Sequence, residues 1–311
     1  MLNYVELQIY GRKVSAELTP LTFLVGSGKS LFINSIYKIL SNIGNKIPKI
    51  HYNNFVISIK IKEKTFSLQK NGNIYRQILE DGGKKVVFEY GSVRGSVFNR
   101  VVEPFELSIK DANVVMPSIE VSEHVSILAE EEVDEANRFV DEFRRAFSLR
   151  AVLLGPYMDP ETFYDASKGR RSLSRNGGNL VGVLASLALT HPDVYDKLRG
   201  DFRKKGVKLA VGLSKRGLLA GVAYMGRVRV PFSKLPCSLK AALTVAVAVS
   251  TRPDLLLLDN FDYCFNEKLA DVLSKYLEEQ ASRGQVIAEL HKPDLAELFK
   301  AKYKSLLSLS L

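Results

Sequence analysis

A glycine-rich turn between an apolar run and an amphipathic segment restricts the fold of this chain more than any other feature. The stretch LTFLVGSGKSLFINSIYKIL covers residues 21–40. Residues 21–25 predict a buried strand and residues 30–40 a helix, because the apolar residues of the second segment recur at helical spacing. A strand, a glycine loop and a helix N-terminus together present backbone N–H groups and a positive dipole end to an anion. The predicted phosphate-binding residues are Gly26, Ser27, Gly28, Lys29 and Ser30.

The loop is shorter than the usual pattern, in which a glycine precedes Gly-Lys-Ser by five residues. Phe23 stands at that position here. In a complete loop the lysine reaches the outer phosphates and the serine hydroxyl holds Mg²⁺. ATP and Mg²⁺ are therefore the expected ligands of Lys29 and Ser30.

A second element of a phosphate site follows an apolar strand near the C-terminus. The stretch RPDLLLLDN ends in Asp259, which is predicted to hold the water shell of Mg²⁺. His291 follows the next predicted strand, at 285–290, and is placed to contact a γ-phosphate. The order helix 238–250, strand 255–258, helix 266–282, strand 285–290 and a helix after Pro293 predicts a parallel sheet.

The rest of the chain predicts an antiparallel layer and several helices. Residues 2–10 and 13–18 form a predicted strand pair, and period-two alternation over 54–98, broken by turns at 71–72 and 81–83, predicts hairpins. The other predicted elements are helices at 122–148, 180–190 and 192–204, a loop at 153–179, and strands at 207–213, 218–225 and 228–232.

The chain is basic, with 44 Lys and Arg against 34 Asp and Glu and a pI near 9.4. This balance favours polyanions, namely nucleic acid, an acidic membrane surface or phosphorylated ligands. The candidate nucleic-acid contacts are Lys168, Arg170, Arg171 and Arg175 in one cluster and Arg203, Lys204 and Lys205 in another. Such residues bind phosphates without reading sequence. Solvated loops and cations at a helix C-terminus explain the same clusters equally well.

The N-terminus, the apolar runs and the two cysteines indicate the cellular compartment of the protein and its redox environment. The N-terminus alternates like a strand and shows no signal peptide, and the longest apolar runs are too short to span a bilayer. Cys237 and Cys264 lack metal-ligand spacing and are interpreted as small buried hydrophobic residues in a reducing cytosol. We expect no membrane partner and a cytoplasmic protein, associated with the nucleoid if it binds DNA.

Four segments occur in the order seen in ABC-type ATPases of the RecF, RecN and SMC-head kind, which the chain resembles over nearly its whole length. They are LTFLVG…SGKSLFINSIYKIL, SLSRNGGNLVGVLASL, PDLLLLDNFD and GQVIAELHKPDLAELF. The resemblance implies one α/β P-loop head over residues 1–311, with a mixed or parallel core sheet. Residues 1–110 would form the phosphate-loop and antiparallel β lobe, 111–235 the helical lobe, and 236–311 the Walker B and switch-histidine part. In that family two heads sandwich two ATP molecules, so a homodimer is expected.

Carried over residue by residue, the resemblance assigns Lys29 and Ser30 to the phosphate loop, Asp259 to magnesium and His291 to the switch position. The departures are equally specific. About three loop residues are missing before Ser27, and two lost hydrogen bonds of ~1.5–3 kcal/mol each would weaken ATP binding by ~10²-fold or more. Asn260 stands where the family has its catalytic glutamate, so general-base assistance of ~10²–10⁴ in rate is expected to be missing.

The signature loop of the family is also altered. Pro236, Cys237 and Ser238 replace a Ser-Gly-rich turn, and Ser238 is interpreted as a helix N-cap. Asp262 and Glu289 are candidate replacements for the missing base, although surface or salt-bridged acids explain them too.

The sequence thus predicts an SMC/RecF-like head with weak or no ATP hydrolysis that dimerises and engages DNA in chromosome or DNA organisation. Archaeal organisers of the coalescin kind are one family to which the resemblance extends. Two alternatives remain open. One is an active Mg²⁺-dependent ATPase with a substitute acid, and the other is a pseudo-ATPase that binds a protein partner.

Overall fold

The computed structural model describes residues 1–40, 54–72, 74–93, 96–104, 130–168, 172–299 and 304–311. The chain divides into two compact units. The first comprises Met1–Leu18, Asn34–Leu149 and Leu309–Leu311, and the second comprises Thr19–Ile33 and Arg150–Ser308.

Sixteen strands are present in the described part of the chain. They are β1 (Tyr4–Ile9), β2 (Arg12–Glu17), β3 (Leu21–Ser27), β4 (Asn54–Ile61), β5 (Lys64–Asn71), β6 (Ile74–Asp81), β7 (Lys84–Val93), β8 (Ser96–Pro104), β9 (Ala151–Leu154), β10 (Phe163–Tyr164), β11 (Val207–Leu213), β12 (Leu219–Met225), β13 (Val228–Pro231), β14 (Leu255–Leu258), β15 (Gln285–Glu289) and β16 (Lys304–Ser310). The α-helices of the same ranges are α1 (Lys29–Leu40), α2 (Glu130–Phe147), α3 (Leu180–Thr190), α4 (Pro192–Lys204), α5 (Cys237–Ser250) and α6 (Ala270–Arg283). None of these helices is long and apolar enough to cross a membrane.

The first unit is built on an antiparallel sheet in the order β2-β1-β4-β5-β6-β7-β8. Period-two alternation buries one face of it, which includes Leu7, Ile57 and Phe66. Helix α2 contributes aromatic side chains to this core, and the ring of Phe147 lies 6.2 Å from that of Phe66. The predicted hairpin layer is confirmed. The predicted helix over 122–148 is described only from residue 130, and residues 122–129 lie outside the described part.

The second unit contains the predicted parallel sheet, in the order β16-β3-β15-β14-β9. Strand β14 pairs in parallel with β15 and β9, and β15 pairs in parallel with β3. The four leucines of β14 are buried, and α5 and α6 pack against each other within the same core. The carboxyl ends of β3, β15, β14 and β9 consequently meet along one edge, where open α/β sheets bind their ligands.

Two predictions for the second unit need correction. The segment after Pro293 is a 3₁₀ turn (Pro293–Leu298) and not an α-helix, and it leads into β16, a strand absent from the sequence prediction. Within the predicted loop 153–179, Leu153 and Leu154 end β9, and Phe163–Tyr164 forms β10, which pairs with β12 in a separate four-stranded sheet. Both short segments take their conformation from a distant pairing partner, so local periodicity does not reveal them.

Candidate functional site

The glycine-rich turn is tighter than predicted. Strand β3 continues to Ser27 and helix α1 begins at Lys29, so Gly28 alone separates them. Gly26 and Gly28 have φ of +90° and +81°, a conformation that favours glycine. The backbone N–H of Phe32 donates to the carbonyl of Gly28 over 2.9 Å and closes the first helical turn. This sharp connection leaves little backbone to wrap around a phosphate.

Both side chains predicted to hold phosphate and Mg²⁺ contact one carboxylate of the protein itself. Ser30 Oγ donates to Glu289 Oε2 over 2.8 Å. Lys29 Nζ lies 3.6 Å from Glu289 Oε1 and donates to the carbonyl of Gly26 over 2.7 Å. The side chains of Lys29 and Glu289 are only 11% and 4% exposed. Glu289 therefore takes the role that phosphate and metal oxygens would take in an active loop.

Glu289 is held at this point by the sheet. It lies opposite Leu24 in the parallel register of β15 and β3, and the backbone N–H of Asn260 donates to its Oε2 over 3.4 Å. Burial raises the pKa of Glu289, and the neighbouring carboxylate of Asp259 raises it further, while Ser30 and Lys29 act in the opposite direction. Protonation of Glu289 is thus easier than that of an exposed glutamate.

Asp259, the predicted magnesium ligand, is bound by an arginine. It follows β14, is nearly fully buried, and its Oδ2 accepts a hydrogen bond from Arg175 Nη2 over 2.6 Å. Arg175 Nε also donates to the carbonyl of Gly155 over 2.6 Å. Arg175, a candidate nucleic-acid contact in the sequence, lies in this site. Nothing local in the sequence indicates this pairing, because the two residues are 84 positions apart.

Gly155 makes this arrangement possible. It has φ of +100°, and a Cβ at this position would lie 1.9 Å from the backbone oxygen of Asp259. Only glycine allows the two strand ends to approach so closely. The main chain after β9 therefore packs directly against the main chain after β14.

Asp262 and His291 form a second pair at the same edge. The backbone N–H groups of His291 and Lys292 donate to Asp262 Oδ2 over 2.7 and 3.0 Å, and Asp262 Oδ1 lies 2.9 Å from His291 Nδ1. The other ring nitrogen, Nε2, lies 3.5 Å from Glu289 Oε1. These contacts make Asp262 a positioning residue for His291, while Glu289 is the acid that meets Lys29.

Asn260 turns away from this cluster. Its φ of +57° is left-handed, a conformation that asparagine tolerates better than most residues. Its Nδ2 lies 3.5 Å from the carbonyl of Pro156, at the limit of a hydrogen bond. The side chain of Asn260 is thus engaged with the main chain that follows β9.

The signature-like turn differs from its prediction in two respects. Helix α5 begins at Cys237 with Pro236 at the cap position, so Ser238 is its second residue, and the predicted N-cap is wrong. Cys237 and Cys264 form a disulfide with their Cα atoms 5.5 Å apart, so the predicted separate buried thiols are also wrong. Cys237 is exposed and Cys264 half-buried. The tertiary fold, and no local pattern, brings the segment after Asp259 to the start of α5.

The remaining basic residues occupy different positions. Lys168 ends a 3₁₀ turn, and Arg170 and Arg171 lie outside the described residues. Lys205 is paired with Asp271 over 2.7 Å. Arg203 and Lys204 are exposed in the last turn of α4, as predicted for cations at a helix C-terminus.

The arrangement does not fit a Mg²⁺-nucleotide as it stands. Lys29 and Ser30 are bound by Glu289, and one oxygen of Asp259 is bound by Arg175. Among the described residues no group of three or more His, Cys, Asp or Glu is disposed to hold a metal ion. The residue types suit a nucleotide, but phosphate must displace Glu289 to reach them.

Comparison with solved structures identifies the fold. The chain aligns over its whole length with an SMC head bound to the C-winged helix domain of ScpA, covering 94% of that chain at 13% identity with a TM-score of 0.52. An SMC head from Pyrococcus furiosus bound to the C-terminal domain of ScpA gives 11% identity, coverages of 99% and 93%, and a TM-score of 0.47. An SMC head domain from Thermotoga maritima gives 12% identity, coverages of 99% of this chain and 94% of that chain, and a TM-score of 0.44.

No protein-family model matches the sequence, and no curated protein matches it. The assignment therefore depends on the three-dimensional likeness, which agrees with the α/β head predicted from the four sequence segments. The chain has the fold of an SMC head domain.

Proposed function

We propose that this protein is an SMC-type head that binds ATP weakly, hydrolyses it slowly or not at all, dimerises, and engages DNA in chromosome or DNA organisation. Weak ATP binding is supported by the contacts that the buried carboxylate of Glu289 makes with Lys29 and Ser30. A nucleotide phosphate meets a like charge at this point and finds a shortened turn around it. Both features weaken ATP binding.

Slow hydrolysis follows from the residue that replaces the family's base. The amide of Asn260 cannot accept a proton from water, and its Nδ2 faces the carbonyl of Pro156. Loss of a general base costs ~10²–10⁴ in rate. Residual ATP binding would then act as a slow switch of the head.

The proposals for partners have different support. Net charge of +10 supports engagement of nucleic acid by electrostatic attraction. The SMC-head fold supports a homodimer, and we place the protein in the cytoplasm, on the nucleoid when DNA is bound. Because the SMC head described above is bound to a winged helix domain of ScpA, a protein partner is proposed for this chain as well.

Calorimetric titration of ATP with Mg²⁺ into the wild type and Lys29→Ala tests the nucleotide site. We expect weak binding in the wild type and none in the variant. Equal affinity for both proteins would refute a role of the turn in phosphate binding. Sedimentation of the wild type with and without ATP tests the dimer, and a monomer under both conditions would contradict it.

One observation favours an active ATPase as the second candidate. Glu289 has a raised pKa and its Oε1 lies 3.5 Å from His291 Nε2, which suits a general base. Mg²⁺-dependent phosphate release that Lys29→Ala and Glu289→Gln both abolish would support this candidate. Release that neither substitution affects would show a contaminating activity.

A further inference from the structure

The positive charge of this protein is concentrated in one segment of the second unit. Residues 202–253 contain no Asp or Glu and eleven Lys or Arg. The remainder of the chain has 33 basic and 34 acidic residues, so it is close to neutral. The net charge of +10 thus originates in the segment that runs from the end of α4 through α5. Within it lie β11, β12 and β13, three strands of the four-stranded sheet that β10 completes.

One face of this sheet is covered by helices. Leu209 and Ala223 are buried in the core of the unit, and a Cβ added to Gly221 would collide with Val181 of α3. Because successive side chains of a strand point to opposite faces, the alternate residues form the other face. On that face β12 presents Ala220, Val222 and Tyr224, and β11 presents Lys208, Ala210 and Gly212.

Aromatic rings and cations stand on this open face in register. Tyr224 is paired with Lys208 on one side and with Arg229 on the other, so the three exposed side chains form one row across the sheet. Phe163 of β10 is paired with Ala220. The Phe163 and Tyr224 side chains are 53% and 39% exposed, although both are large and hydrophobic.

The floor between the two rings is low. On this face of β12 the buried Val222 lies between them, and the four-residue step from the position of Phe163 to Tyr224 spans about 13 Å. A cavity of about 780 Å³ opens here, and its lining includes Phe163, Val222, two basic residues, Arg229 and Lys234, and one acidic residue, Glu161. A second cavity, of about 320 Å³, is lined by Lys208, by Arg199 and Arg203 of α4, and by Asp196, which pairs with Arg199.

We propose that this face, formed by Phe163, Lys208, Tyr224 and Arg229, binds single-stranded nucleic acid. Unpaired bases stack on the two rings, and phosphates contact Lys208 and Arg229. Charge complementarity selects a polyanion, and exposed rings select one whose base faces are free, which a duplex does not offer. The inference rests on the proposed engagement of DNA and assigns it a surface and a preferred form of DNA.

Fluorescence anisotropy with a labelled oligothymidylate and with a duplex of the same length tests this surface. We expect the wild type to prefer the single strand. Tyr224→Ala and Phe163→Ala should each weaken single-strand binding by about 5- to 150-fold, the range for loss of one stacked base, and should change duplex binding little. Tyr224→Phe keeps the ring and should keep the affinity. Lys208→Ala should lower the salt dependence by about one phosphate contact.

Tyr10→Ala is the matched control, because Tyr10 is also an exposed tyrosine but belongs to the first unit. It should bind the single strand like the wild type. Wild-type binding that survives Tyr224→Ala and Phe163→Ala, or a preference for the duplex, would overturn this surface and leave the proposed function standing. Absence of binding to either DNA would overturn both. Circular dichroism of each variant confirms that the substitutions leave the fold intact.

Discussion

Replacement of Glu289 by glutamine should strengthen ATP binding, because it removes the charge that competes with phosphate for Lys29 and Ser30. Glutamine is nearly isosteric, and its amide oxygen can still accept the hydrogen bond of Ser30. The fold should therefore be retained.

In the wild type, phosphate can bind either beside the charged Glu289 carboxylate or after Glu289 takes up a proton. The process with the lower free-energy cost determines how much affinity Glu289→Gln gains. Two like charges about 4 Å apart repel by roughly 4 kcal/mol at an effective dielectric constant of 20. Alternatively, Glu289 can take up a proton. Because its pKa lies above 4.5, protonation at pH 7 costs less than about 3.4 kcal/mol. Protonation is cheaper, so the expected gain in affinity is at most about 300-fold.

This reasoning also predicts a dependence on pH. As the pH falls from 7 towards the raised pKa of Glu289, wild-type affinity for ATP should rise relative to that of Glu289→Gln, since titration of ATP itself is common to both. The same raised pKa means that the folded state holds this proton more tightly than the unfolded state. The contribution of Glu289 to folding stability should thus fall as the pH rises from about 4.5 through the raised value.

The assay is calorimetric titration of ATP with Mg²⁺ into the two proteins at pH 6 and pH 7. Glu267→Gln serves as the matched control, because Glu267 is an exposed carboxylate outside the site and should bind like the wild type. Equal affinities of the wild type and Glu289→Gln at both pH values would refute the competition between Glu289 and phosphate.

Three further predictions concern the framework of the site. The Cys237–Cys264 disulfide closes a loop of 27 residues, so its reduction by a dithiol should lower the free energy of unfolding by about 3.5 kcal/mol. If the protein is treated with an oxidant and then denatured, detection of two free thiols would contradict the disulfide. Gly155→Ala should lower the free energy of unfolding in urea by more than about 2 kcal/mol. Gly217 also has a positive φ but open space around it, so Gly217→Ala should lower this free energy by only about 1 kcal/mol. Equal losses of stability would exclude the close approach of Gly155 to the backbone of Asp259. Arg175→Ala should lower the free energy of unfolding by about 1–2 kcal/mol. This value is discounted for solvent screening, because the Arg175 side chain is 46% exposed although its carboxylate partner is buried. An unchanged midpoint of urea unfolding would refute the pairing.

The spacing of apolar residues along the sequence was sufficient to predict most helices and strands of the second unit. The predicted helices at 180–190 and 192–204 and the strand at 207–213 have the same bounds in the structure. An amphipathic repeat or a buried apolar run is a property of adjacent residues, so it can be read without knowledge of the fold. Strands β10 and β16 could not be predicted in this way, because each is stabilised by a distant partner strand.

The sequence by itself determined that Lys29 and Ser30 begin a helix after a glycine turn and that Asp259 ends an apolar strand, because each statement concerns a run of neighbouring residues. Only the tertiary structure decided what these side chains contact. Ser30 meets Glu289 from 259 positions away, and Asp259 meets Arg175 from 84 positions away. Such pairs depend on the order and register of β3, β15, β14 and β9, which bring four strand ends to one edge of the sheet. The motif predicted a phosphate site, and the register placed a carboxylate in it.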